Sequence, residues 1–203
     1  MSPAPARTSR DAILEAAREL LEEEGLDAVT MAAVASRVGV RAPSLYKHIR
    51  DRAELVSGVI ATAAAELTTA LEHALATASA EPAPRVRAIA SAYRAFAHGR
   101  PRTAALLFAD LGPELPIPQA ELARSAAPVL EVAAALAGEG RALPAARALT
   151  AFVHGFTSME TAGAFRLGGG VDEAFATGVE ALIAGLGPAV SSHPGDPQFA
   201  RPS

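Results

Sequence analysis

Arg41, Ala42, Ser44, Tyr46, Lys47 and His48 fall within eight consecutive positions, with Leu45 and Ile49 set four apart among them. On a helix that spacing puts the two apolar side chains on one inward face and leaves the short, aromatic and basic ones outside. Such a surface suits the major groove of duplex DNA. Arg41 or Lys47 can donate to guanine acceptors, Ala42 can meet a thymine methyl, and Ser44 completes the base-edge candidates. Thr30, Tyr46, His48 and Arg52 are expected to meet phosphates, which set register rather than sequence. Pro43 belongs to the same presenting turn, where backbone amides lack internal partners anyway. The plain alternative, a solvated basic face, does not call for the specified turn that precedes these residues.

That turn is specified on both sides. Met31 to Arg37 predicts a helix with Met31, Val34, Ala35 and Val38 on one face, and Thr30 stands where a hydroxyl caps free amides. Gly39 follows, where a chain leaving a helix often needs positive φ, and Val40 plugs the angle before the second helix. The pair makes a helix-turn-helix. Ahead of it, Thr8 to Glu24 carries Ile13, Leu14, Ala17, Leu20 and Leu21 on one stripe, with Thr8 and Asp11 as a capping box and Gly25 as the stop. Behind it, Asp51 and Glu54 form a second capping box, opening a long helix toward Ala76. The net charge of −4 does not oppose DNA binding, because local clustering matters: Arg37, Arg41, Lys47, Arg50 and Arg52 face only Asp51, with Glu22, Glu23, Glu24 and Asp27 expected further away.

The run VGVRAPSLYKHIRDRAEL, preceded by TSRDAILEAARELLEEEGLDAVTM, resembles the DNA-binding domain of the TetR/AcrR family of transcriptional regulators. The resemblance spans roughly the first third of the chain, several elements in order, and is more specific than a lone motif. Two departures stand out: Lys47 occupies a place where the family often has a second aromatic, and Arg52 replaces a frequent lysine. The fragment FVHGFTSMETAGAF, Phe152 to Phe165, is similar to a His-Gly motif in the C-terminal domain of one TetR-like subgroup (WHG-like). The family implies a homodimeric repressor, released from palindromic operator DNA by a small-molecule effector. It also implies that the last two long helices form the dimer interface. Gly155, Ala162, Gly163, Ala164, Ala174, Gly178, Ala181 and Ala184 would allow close backbone approach there.

The rest of the chain must supply the body. Period-two alternation is nowhere sustained, so an all-α fold is expected: a three-helix head over residues 8–54, a larger ligand-binding and dimerisation domain over 55–187, and a disordered tail over 188–203. Pro82 and Pro84 mark a loop before a helix from Val86 to His98. Thr103 to Leu111 reads as a short helix, Gly112 to Pro118 as a loop, and Gln119 to Ala137 as a helix. Leu143 to Leu167 is the longest apolar helix of the body, and Val171 to Leu186 pairs with it as a hairpin. By family implication a cavity lies inside, with Tyr93, Phe96, Phe108, Phe152, His154, Phe156 and Met159 as wall candidates and Ser158 and Thr161 as further polar anchors. Aromatics at helical spacing are more often plain core, and His154 reads first as a buried, satisfied histidine or an interface hydrogen bond and only second as a ligand contact.

Several classes fall away. With no cysteine there is no disulfide, thiolate metal site or thiol nucleophile. His73, His98 and His193 show no ligand spacing and are expected at the surface, so neither metal nor cofactor is anticipated. An all-α enzyme would need a constellation, and His154 with Glu160, six apart on a helix, point to different sides. An architectural DNA binder without sequence preference would need a broadly basic surface, which the long apolar body does not supply. No apolar run reaches the roughly twenty residues of a membrane span, and MSPAPARTSR lacks a signal-peptide core, so a cytoplasmic protein without membrane partners is expected.

Overall fold

The computed structural model describes residues 9–115 and 118–187, all helix, turn and loop. Nine α-helices are found among them: α1 (Arg10–Glu24), α2 (Met31–Val38), α3 (Ala42–Leu45), α4 (Arg52–Thr77), α5 (Pro82–Gly99), α6 (Pro101–Leu106), α7 (Gln119–Ala137), α8 (Ala142–Thr161) and α9 (Val171–Leu186). The all-α expectation holds. The expected tail over 188–203, His193 and Pro116 lie outside the described residues, as does Thr8.

In the head, local chemistry sets the helix ends. Ser9 caps α1, its Oγ accepting the Ala12 amide at 3.1 Å, in the role expected of Thr8. The apolar stripe Ile13, Leu14, Ala17, Leu20 and Leu21 is buried. Thr30 Oγ1 accepts the Ala33 amide at 3.1 Å. At the other end of α2, Gly39 adopts φ 77° while its amide reaches Ser36 and that of Val40 reaches the Ala35 carbonyl at 2.9 Å. These paired bonds close the helix and need a left-handed residue between them. Asp51 caps α4 by accepting the Glu54 amide at 2.8 Å; the Glu54 carboxylate returns to the Arg50 amide at 2.9 Å rather than to that of Asp51.

The long helix α4 crosses the boundary expected at 54/55 without a break. It packs on α1 in the head and on α5 and α7 in the body. Gly58 lets it approach closely, since a Cβ there would stand 2.7 Å from Leu14 Cδ2. At 26 residues it is the longest helix among the described residues, and it meets by length and composition a test for a bilayer-crossing helix that buried core helices also meet. Its apolar side is the core of the fold: Leu55, Val56, Val59, Ile60, Leu67 and Leu71 are all buried.

Three other expectations are corrected. Pro82 and Pro84 lie in the first turn of α5 instead of a loop, where a missing N–H removes no intrahelical bond. The short helix α6 starts at Pro101 and stops at Leu106 rather than running over Thr103 to Leu111; Asp110 Oδ1 then accepts the Gly112 amide at 3.1 Å in a local turn that competes with helix. Likewise α8 stops at Thr161 and does not reach Leu167. Gly163 takes φ 65°, its amide meets the Glu160 carbonyl, and Ala164 bonds Met159, both at 2.9 Å. Ala162, Gly163 and Ala164 are therefore turn residues, not part of a helical interface stripe.

Candidate nucleic-acid interface and body cavity

In α3 and the turn after it, Leu45 and Ile49 are buried at 0% and 1% exposure, while Arg41, Pro43, Tyr46, Lys47 and His48 are exposed and Ala42 and Ser44 half-exposed. Only one helical turn is formed, Ala42–Leu45, and it is held against the head by that apolar pair. Thr30 is exposed at the start of α2, on the same small domain. The surface expected from the spacing is thus presented to solvent as one unit.

The charges are arranged differently from the expected cluster. Glu23 is not remote: its Oε2 lies 2.5 Å from Arg37 Nη2, with Glu19 at 3.5 Å. This pairing holds the Glu23 carboxyl below its ordinary range. Arg50 Nε contacts Asp51 at 3.1 Å. Arg52, expected at a phosphate, donates from Nε to the Val29 carbonyl at 2.7 Å and from Nη2 to the Leu26 carbonyl at 2.8 Å. It ties the start of α4 to the segment between α1 and α2. Arg41 and Lys47 make no ion pair or side-chain hydrogen bond among the described residues, so their charges remain available to a polyanion.

In the body, a cavity of about 300 Å³ lies between α4, α5, α7 and α8 and the turn after α6. Of the expected wall residues, Tyr93 and Phe108 line it, with Leu67, Leu71, Ile89, Val129, Leu149 and Val153 among the aliphatic walls and Ser125 and Thr150 as hydroxyls. His154 stands behind the wall. Its Nδ1 is 2.8 Å from the Tyr93 hydroxyl and its ring lies 4.2 Å from that of Phe108. Burial lowers the His154 pKa and raises that of Tyr93, so both are neutral near pH 7.

The remaining candidates do not reach the cavity. Phe152 and Phe156 join Phe175 and Phe165 in a separate aromatic cluster, with centroids 4.7 to 6.0 Å apart. Phe96 is half-buried against the core, Met159 is 50% exposed, and Ser158 and Thr161 are exposed. On α9, Gly178 is occupied within the chain, because a Cβ there would meet the Phe152 ring at 2.1 Å. His98 is exposed, yet its Nε2 lies 2.9 Å from Glu160 Oε2. Glu160 also accepts from Arg94 Nε at 2.8 Å, so Glu160 and His154 serve different partners on different sides of α8.

An apolar stripe on a long helix reads as core, so nothing in the sequence sets Leu67 and Leu71 apart as wall residues. Nothing in the sequence marks Ser125 or Thr150 among many small polar residues.

Two family models match. Residues 13–59 match the model described as bacterial regulatory proteins, tetR family, and residues 86–182 the model described as tetracyclin repressor-like, C-terminal domain. A Mycobacterium tuberculosis protein described as an uncharacterized HTH-type transcriptional regulator is 34% identical over 161 residues, covering 78% of this chain and 73% of that protein. The class D tetracycline repressor of Escherichia coli is 35% identical over 54 residues, 27% of this chain and 25% of its own length. A solved structure of a protein of unknown function from Rhodococcus sp. RHA1 superimposes with a TM-score of 0.77 at 26% identity, over 93% of this chain and all of that one. The chain belongs to the TetR family of bacterial transcriptional regulators.

Proposed function

We propose that this regulator is a homodimeric repressor which binds a palindromic operator through residues 8–54 and leaves it when a small molecule occupies the body, residues 55–187. Arg41, Ala42, Ser44 and Lys47 read base edges, while Thr30, Tyr46 and His48 meet phosphates. It acts in the cytoplasm, on duplex DNA and as no enzyme. Repression is carried over from the class D relative, which is named a repressor.

The observation that carries the coupling is the course of α4. Its first residue, Arg52, is bonded to the head through two backbone carbonyls, and Leu67 and Leu71, four to five turns along, wall the cavity. A ligand that prefers one position of α4 therefore biases the placement of the head. For the dimer, α9 buries Phe175 and Val179 but exposes Ala174, Thr177, Ala181 and Ala184. That small-residue stripe suits the close packing of two helices against their copies.

Selection of bound sequences from random duplex DNA with the purified full chain tests the function. A short enriched palindrome with half-sites about one helical turn apart is expected. Binding without any enriched motif, disappearing as salt rises, overturns sequence-specific repression in favour of architectural binding.

A further inference from the structure

Among the described residues that line the body cavity there is no Asp, Glu, Lys, Arg or His. Two guanidiniums of the surrounding helix α5 are committed elsewhere: Arg94 to Glu160 and Asp172, and Arg85 to Glu131. An ion placed in such a space would lose its hydration without gaining a counter-charge, a penalty that outweighs the apolar contacts of a small molecule. A neutral molecule meets no such penalty.

The polar groups of the wall are few, and they differ in availability. The Ser125 hydroxyl already donates to the Leu122 carbonyl at 2.9 Å. The Tyr93 hydroxyl, 2.8 Å from His154 Nδ1, has one partner outside the cavity and can serve one within it. When the imidazole carries its hydrogen on Nε2, the phenol donates to Nδ1 and keeps lone pairs for the cavity. When Nδ1 carries it, the imidazole donates and the phenolic hydrogen turns inward. This hydroxyl thus meets either a donor or an acceptor. Phe108, 47% exposed and with its ring 6.3 Å from that of Tyr93, places an aromatic surface beside it at the edge of the cavity.

We infer that the cavity takes an uncharged, predominantly apolar molecule bearing one hydrogen-bonding group directed at Tyr93. This inference rests on the ligand-responsive function proposed above. The volume of about 300 Å³ equals that of about ten liquid waters, which suits roughly ten to fifteen non-hydrogen atoms once these are covalently bonded and closely packed.

Decanol, decanoate and decylammonium share one chain and differ in charge. Calorimetric titration of each into the DNA-free full chain near neutral pH is the test. Decanol should bind about tenfold or more tighter than either ion. Tyr93→Phe should weaken decanol about fivefold or more, and Ala126→Trp, at a further wall residue on α7, should fill the cavity and abolish binding. Equal or tighter binding of either ion, absence of binding by all three, or decanol binding untouched by Ala126→Trp each overturns the assignment. The comparison of the three compounds on the unmodified chain stands even if a variant misfolds. Since DNA is absent, a failure here leaves the operator selection standing. A failed selection with decanol preferred would sink the DNA function alone.

Discussion

The Glu22 carboxylate near the end of α1 accepts the backbone amide of Thr103 in the first turn of α6, at 2.7 Å, and that of Arg102 at 3.1 Å. A side chain of the head thus supplies the cap that the α6 sequence, opening on Arg100 and Pro101, does not provide for itself. Arg102 answers by donating from Nη1 to the Glu22 carbonyl at 3.0 Å. Immediately after α6, Leu107 and Phe108 wall the cavity. The DNA-binding head and the cavity are therefore joined by two routes, α4 and this clamp.

Glu22→Ala removes an anionic acceptor from two helix-terminal amides and should cost about 1–2 kcal/mol in urea unfolding. Glu22→Gln keeps one oxygen and should cost roughly half as much. Hydrogen exchange of the full chain should show faster exchange confined to the amides at 102 and 103. An unchanged midpoint with unchanged protection of those amides would show that α6 is capped by solvent just as well.

Arg52 and Lys47 should separate structure from recognition. Arg52→Met frees two carbonyls from charge-assisted bonds and is expected to destabilise the chain by about 1–3 kcal/mol, leaving the salt dependence of DNA binding nearly unchanged. Lys47→Ala touches no partner, so stability should stay within about 0.5 kcal/mol. If Lys47 reads a base, its loss should cost about 1–3 kcal/mol of binding at certain operator positions. If it meets a phosphate, binding falls uniformly and the salt slope becomes shallower by about one. Thermal unfolding and binding at several salt concentrations measure both. A shallower slope with unaltered stability for Arg52→Met would return Arg52 to the phosphates.

The contrast between these two residues shows what is legible in such a chain. The head was readable because its devices are local: the Thr30 and Asp51 caps act three residues along, and the Gly39 closure spans five. The bonds of Arg52 are not legible because their acceptors are backbone carbonyls 23 and 26 residues earlier, and a carbonyl leaves no mark in a sequence. The pairing of Arg37 with Glu23 is hidden for a different reason: both charges are visible, but their approach depends on how α1 crosses α2. In the body, Tyr93 and Phe108 stood out as aromatics while the aliphatic walls did not. The stop at Gly163 was present in the letters but hidden by the apolar residues that continue to Leu167.

Gly178 provides a packing test. Alanine would gain up to about 1 kcal/mol of helix propensity over glycine. Its Cβ, however, would stand 2.1 Å from a Phe152 ring already flanked by Phe156 and Phe175. Overpacking of this kind costs about 1–3 kcal/mol, so Gly178→Ala should be net destabilising in chemical denaturation. Phe152→Leu, which withdraws the ring, should recover part of the loss in the double variant. A single variant as stable as the parent would mean that α9 shifts freely on α8.

Glu160 should make the body sensitive to acid. Its carboxyl is held at about 2, against an ordinary 4.5, chiefly by the hydrogen bond from Arg94 and secondarily by His98, with burial opposing both. Because the folded-state value is depressed, the unfolded chain takes up the proton first as pH falls. The stabilisation from this group is therefore fully present above about 4.5 and is lost progressively as pH drops toward 2. Arg94 also reaches Asp172 at 2.7 Å and lies 4.7 Å over the Phe175 ring, so one guanidinium joins α5, α8 and α9. Arg94→Met should raise the Glu160 titration, followed by carboxyl NMR, toward 4.5 and flatten the fall of stability over that window. A Glu160 titration unmoved by Arg94→Met would show that His98 and the surrounding backbone, not the guanidinium, hold the carboxylate. The acid sensitivity would then pass to His98, whose substitution by Ala should produce the same shift.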